Sequence, residues 1–345
     1  MNKYIAINTN LKLLLGYKDF RNTNIIISFT VLRFIAACLI TNTHYNDVYP
    51  IESLAVGGLL GDVLFFIVSG FVLAKPTSQN FGSWYWKRLK RIYPTIFAGV
   101  CWYMLTGYKT LNNCNWFEAF IFPTFFVFVA AIILLYIPFY FVNRIKNREY
   151  FLFVIQGWII AWLVTYFFFF DKSTYEMNNT NNPMIAFPYF TGMLVGAYLR
   201  KYGIEKKGIF QTIKFGCSSC FFLVIYFIST VLIRGREGLY SLQIIVQITL
   251  LLGIALFSCM IYLLDEWFKQ WPLWLMYVIN FVAMLTLEIY VIQKPIISAM
   301  SYIVFPLNWI LITASIVLGA VILRIIINLI TICIANVVKE LQARI

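Results

Sequence analysis

From about residue 24 onward the chain alternates between long apolar runs and short polar connections. The runs fall near 24–43, 54–74, 93–108, 117–142, 151–170, 185–199, 213–233, 242–264, 272–293 and 306–336. A helix needs roughly 17–25 residues to cross bilayer hydrocarbon. The pattern therefore predicts an all-α, polytopic membrane bundle of about ten transmembrane helices, the third and sixth runs being the shortest. With the N-terminus inside, the cytoplasmic connections and tails carry twenty Lys and Arg and the opposite ones five, with Arg33 and Arg324 inside runs. Cytoplasmic loops hold the excess of basic residues, so both termini are predicted to be cytoplasmic. Three parts follow: a polar N-terminal segment at 1–23, a membrane domain at 24–336 and a short tail at 337–345. The first run leads on into further spans and reads as a start-anchor rather than a cleaved signal.

Composition reinforces this reading. The chain is 61% hydrophobic and 12% charged, with a mean hydropathy of +0.81, which leaves too little polar surface to cover a soluble globule of this size. The net charge of +13 reads as topology and contact with anionic headgroups, not as a nucleic-acid surface. Seven cysteines are scattered, and the one close pair, Cys217 and Cys220, lies inside a run, where small residues suit helix packing. No second Cys or His pair completes a zinc set, so no metal is expected. Asn178-Asn179-Thr180 matches a glycosylation acceptor, a pattern too short to carry weight in an Asn-rich loop.

Polar residues inside apolar runs stand out, because an ionisable side chain near mid-bilayer costs on the order of 2.5–3.5 kcal/mol. Arg33 and Asp62 fall near mid-depth of the first two runs, and Glu288 falls toward the outer end of the ninth, at about the depth of His44. Eleven residues separate Arg33 from the only histidine, His44, and eleven helical steps of about 100° return close to the starting face. Arg33 and His44 are thus predicted to line one stripe about 16 Å long. Asp62, Phe66 and Ser69 share a face of the second helix by i, i+4, i+7 spacing, and an Arg33–Asp62 ion pair between the two helices is the simplest way to satisfy both charges. A lone histidine at a helix end also fits an interfacial residue bonded to headgroups or a loop carbonyl. In "SWYWKRLKRIYP", 83–94, Arg88 and Arg91 form a fork donor pair suited to phosphate, although an aromatic and basic belt anchoring a helix to the membrane surface is the alternative.

These residues, in this order, resemble the acyltransferase-3 family of integral membrane O-acyltransferases, which acylate bacterial surface polysaccharides and related acceptors. "LRFIA" at 32–36 followed by His44 looks like the family's opening Arg motif. "GDVLFFIVSGFVL" at 61–73 is similar to its G-x-x-x-F-F-x-x-S-G-F segment, and "KRLKRIYP" at 87–94 to its R-x-x-R-I-Y-P element. Weaker likeness extends through "FPTFFVFVAAIILLY", "FPYFTGMLVGAYL" and "LEIYVIQKP", so that the resemblance spans about 30–300. Two departures are Gln293, where members often carry His, and the charged Asp62.

The resemblance implies transfer of an acetyl or other acyl group from acetyl-CoA, the donor substrate, to a hydroxyl of a surface glycan or lipid-linked sugar at the bacterial cytoplasmic membrane. It implies His44 as general base, an imidazole titrating near working pH, oriented by Asp47 or Glu288. Arg88 and Arg91 would hold the CoA phosphates, and the track of Arg33 and Asp62, with Ser69 further along it, is the candidate route of the acyl arm. From another class, a transporter or flippase for a glycan or lipid-linked substrate would use Arg33, Asp62 and Glu288 as substrate or proton sites.

Overall fold

A computed structural model describes residues 26–109, 115–180 and 182–343; the predicted segment 1–23 lies outside them. Every long element among the described residues is a helix: α1 (Ile27–Thr43), α2 (Gly58–Leu73), α3 (Phe81–Leu105), α4 (Val127–Asn143), α5 (Arg148–Phe169), α6 (Ala186–Lys201), α7 (Ile209–Arg234), α8 (Ile244–Leu263), α9 (Leu273–Met284), α10 (Thr286–Met300) and α11 (Leu307–Ala343).

Each predicted run coincides with one helix, except that the ninth is a pair, α9 and α10, bent by 72° at Leu285. Six helices are long and apolar enough to cross a membrane, seven if the bent pair is one crossing, where the sequence pattern predicts ten. The shortfall has identifiable causes. Helices α1 and α6 have 17 and 16 residues, whereas α2 and α4, no longer by themselves, gain length from the helical turns Glu52–Leu54 and Thr124–Phe126 before them; α3 begins at Phe81, so its first turns are the basic "SWYWKRLKR" stretch. Pro94 lies inside this helix rather than at its start. The tail boundary drawn at 337 likewise falls within α11.

Polar side chains tie the helix ends together. Asn80 caps α3 by accepting from Ser83 N at 2.9 Å, and Asn147 caps α5 through Glu149 and Tyr150 N, which satisfies first-turn donors that have no helical partner. The Asp265 carboxylate accepts from Ser28 N at 2.8 Å in the first turn of α1, so the α8–α9 connection covers the start of α1. Lys201 donates to the carbonyls of Asn143 and Ile145 past the end of α4. This end of the bundle, rich in Lys and Arg, is the basic end. At the other end, Asn308 donates to the Val48 carbonyl and Tyr45 bonds Thr313 at 2.9 Å, joining the loop after α1 to α11.

Where the apolar effect gives no preference for protein over lipid, small residues let backbones meet. Helices α2 and α6 use this device. A methyl group on Gly70 would run into the Met193 backbone, and one on Gly196 into the Ile67 carbonyl. The Gly192-x-x-x-Gly196 face of α6 therefore lies directly on α2, with Phe66 and Ile67 almost fully buried between them.

Candidate active site

Three guanidinium groups gather toward the basic end. Arg33 comes from α1; Arg88 and Arg91, one turn apart, come from α3. Arg33 lies within electrostatic reach of Arg91, as Arg88 does, and the buried Tyr136 of α4 feels both Arg88 and Arg91. The Arg88 guanidinium stacks 4.3 Å over the Trp84 ring and donates through Nη1 to the Trp84 carbonyl at 3.2 Å. Its Nε is buried without a hydrogen-bond partner. No carboxylate among the described residues lies within 4 Å of any of the three. Like charges are thus held near one another without a counter-ion among the described residues, and the planar guanidinium fork is of the kind that suits phosphate.

His44 stands at the opposite end of α1, as the residue that closes the helix, with its backbone N–H bonded to the Thr41 carbonyl at 3.0 Å. Its side chain is half-buried. Burial, and secondarily the charge of Lys294, pushes the imidazole down to about 4, so it is a free base at neutral pH. Arg33 and His44 thus mark opposite ends of α1, the guanidinium toward the basic end and the imidazole just past the helix.

Neither carboxylate expected to orient His44 bonds to it. Asp47 is exposed in the following loop. Glu288, in the first turn of α10, is fully buried and its Oε1 accepts from Arg324 Nη1 of α11 at 2.6 Å, while its Oε2 has no partner. The charged group within electrostatic reach of His44 is Lys294 of α10.

The expected Arg33–Asp62 ion pair is not formed. Asp62 is buried and its Oδ2 accepts from the Tyr189 hydroxyl at 2.8 Å. The shared face of Asp62 and Phe66 is real, but it packs on α6 instead of α1: Phe66 stacks on the Tyr189 ring at 4.2 Å between centroids. The glycine contacts that bring α6 onto α2 supply the cause, since they place Tyr189 where Asp62 points. Ser69, further along α2, is half-buried. Sequence reasoning missed Arg324 as the partner of Glu288, although both charges stood out inside apolar runs; Gln293, singled out in the sequence as a departure from the family pattern, is buried with both side-chain amide atoms unpartnered.

The bundle is a multi-pass membrane protein with a cluster of guanidinium groups toward one end and its one imidazole at the other. A family model described as "Acyltransferase domain", that of the acyltransferase-3 family, matches residues 26–329, nearly the whole chain. The protein belongs to this family of membrane acyltransferases. No curated protein and no solved structure matches the chain.

Proposed function

We propose that the protein moves an acetyl group from acetyl-CoA to a hydroxyl of a cell-surface polysaccharide or lipid-linked glycan at the bacterial cytoplasmic membrane. Supporting this reading above all is the Arg33, Arg88 and Arg91 cluster, three guanidinium groups without a carboxylate, at the end opposite His44. In this reading all ten predicted runs cross or enter the membrane, both termini are cytoplasmic, and the basic end faces the compartment that holds CoA.

The chemistry follows from the side chains. Arg88 and Arg91 hold CoA phosphates in charge-assisted bonds, and Arg33 extends the positive surface toward mid-bilayer. The acyl arm lies along the α1 stripe. At its far end His44 takes the proton of the acceptor hydroxyl as that oxygen attacks the thioester carbonyl; the C–S bond breaks, and the imidazolium returns the proton to the departing thiolate. Glu288 is engaged in the α10–α11 contact, which leaves Asp47, exposed in the loop after α1 and not bonded to His44, as the carboxylate that would have to move in to orient the imidazole. The test is the envelope glycan of cells with and without the protein. Loss of one O-acyl ester is expected, and an unchanged ester pattern overturns the reading.

The break between α9 and α10, beside a buried ion pair, favours a second reading as a transporter or flippase, since discontinuous helices line transport sites. Thermal stabilisation of the purified protein by CoA separates the two, because a flippase has no group that needs to recognise a nucleotide thioester.

A further inference from the structure

At the His44 end, α3, α10 and α11 diverge around a groove of about 600 Å³ whose lining includes Trp102, Tyr108, Pro295, Ala299, Ser315 and Leu318. The lining is mostly apolar, as a site for a hydrocarbon chain must be. Two lysines adjoin it. Lys109 follows Tyr108 and sits 5.8 Å over the Phe125 ring; Lys294 precedes Pro295 and is exposed. No carboxylate among the described residues lies within 4 Å of either. The two lysines are within electrostatic reach of each other, and Lys294 of His44. An apolar groove, two positive charges that follow or precede its lining residues in the chain, and the imidazole thus share this end of the molecule.

We propose that the groove holds the hydrocarbon chain of a lipid phosphate that carries the acceptor glycan, with its phosphate between Lys109 and Lys294 and its sugar over His44. The proposal rests on the acyltransferase reading and narrows its acceptor to a lipid-linked glycan, excluding finished polymer. Charge complementarity selects the headgroup: two ammonium groups without a counter-ion match a phosphate. The combination of groove, positive charge and imidazole selects the ligand class, because only a molecule with a phosphate between hydrocarbon and glycan spans all three features at once.

The experiment uses the purified full-length protein in neutral-lipid nanodiscs, with a polyprenyl monophosphate, the parent polyprenol and phosphatidylglycerol as probes, and acetyl-CoA binding measured on the same samples. The polyprenyl phosphate is expected to bind at least about tenfold more tightly than the other two. Lys109→Gln and Lys294→Gln should each weaken it about tenfold, and Ala299→Trp, which fills the groove from an exposed position, should block it while acetyl-CoA binding stays unchanged. Equal binding of the polyprenol removes the phosphate role, and equal binding of phosphatidylglycerol reduces the groove to a general anionic-lipid surface. Either result overturns the proposal without any variant having to fold. Failure with acetyl-CoA binding intact leaves the acyltransferase reading standing; loss of both takes that reading down as well.

Discussion

Glu288 and Arg324 meet at 2.6 Å across α10 and α11, the carboxylate fully buried and the guanidinium partly so. This contact engages the carboxylate that the sequence offers to His44, and it sits immediately after the bend at Leu285. Breaking a buried pair leaves an uncompensated charge and costs about 3–5 kcal/mol. Glu288→Ala and Arg324→Leu are each expected to lower thermal stability by that order, with the Glu288→Leu, Arg324→Leu double variant recovering most of it. A Glu288→Ala protein of unchanged stability and no transferase activity would instead make Glu288 part of the chemistry.

His44→Ala should lower acyl transfer by about 10²–10⁴-fold, the range for a lost general base, at near-normal membrane level, since a half-buried helix-end residue with no side-chain partner adds little to packing. Ester formation on the acceptor, normalised to protein in the membrane, is the measurement. Retention of more than about half the activity excludes His44 from the mechanism.

Arg88→Ala and Arg91→Ala should raise the KM for acetyl-CoA about tenfold or more while changing acceptor use less. Lys replacement restores only part, because an ammonium cannot reproduce the fork. Unaltered CoA binding in both alanine variants would assign the pair to membrane anchoring.

Tyr189→Phe leaves the buried Asp62 carboxylate without its donor, at an expected cost of about 1–3 kcal/mol. Activity per folded molecule should persist, because Asp62 faces α6 and away from the α1 stripe. Loss of activity at unchanged melting temperature would place the Asp62–Tyr189 pair on the acyl route.

A positive charge near an imidazole favours its neutral form, so removing that charge raises the pKa. Lys294→Gln should therefore move the acid limb of the pH–rate profile to higher pH, since the reaction needs the free base. An unmoved or downward-shifted limb would mean that His44 is not the titrating group.

The amino-acid sequence alone determined the helices and the type of chemistry. Apolar runs located the long helices, all but the break that divides the ninth run into α9 and α10, because hydrocarbon forces each backbone polar group to be satisfied within its own segment, and that demand is local. The order of Arg33, His44, the Gly61–Leu73 segment and Arg88–Arg91 carried the family in the same local way. The number of runs that qualify as crossings was less legible, since α1 and α6 are short and α3 joins its basic stretch to its apolar one. Pairing was decided only by the tertiary structure. Helical phase placed Asp62 and Phe66 on one face, but which neighbour that face meets depends on the Gly70 and Gly196 contacts between α2 and α6, residues more than a hundred positions apart. Depth matched Arg33 with Asp62 equally well on paper, yet Asp62 went to Tyr189, Glu288 to Arg324, and Lys294 to the neighbourhood of His44. Charges buried in a bundle take whichever partner the backbone packing brings within hydrogen-bond length, and close approach of two helices is a property of both surfaces that neither sequence segment specifies alone.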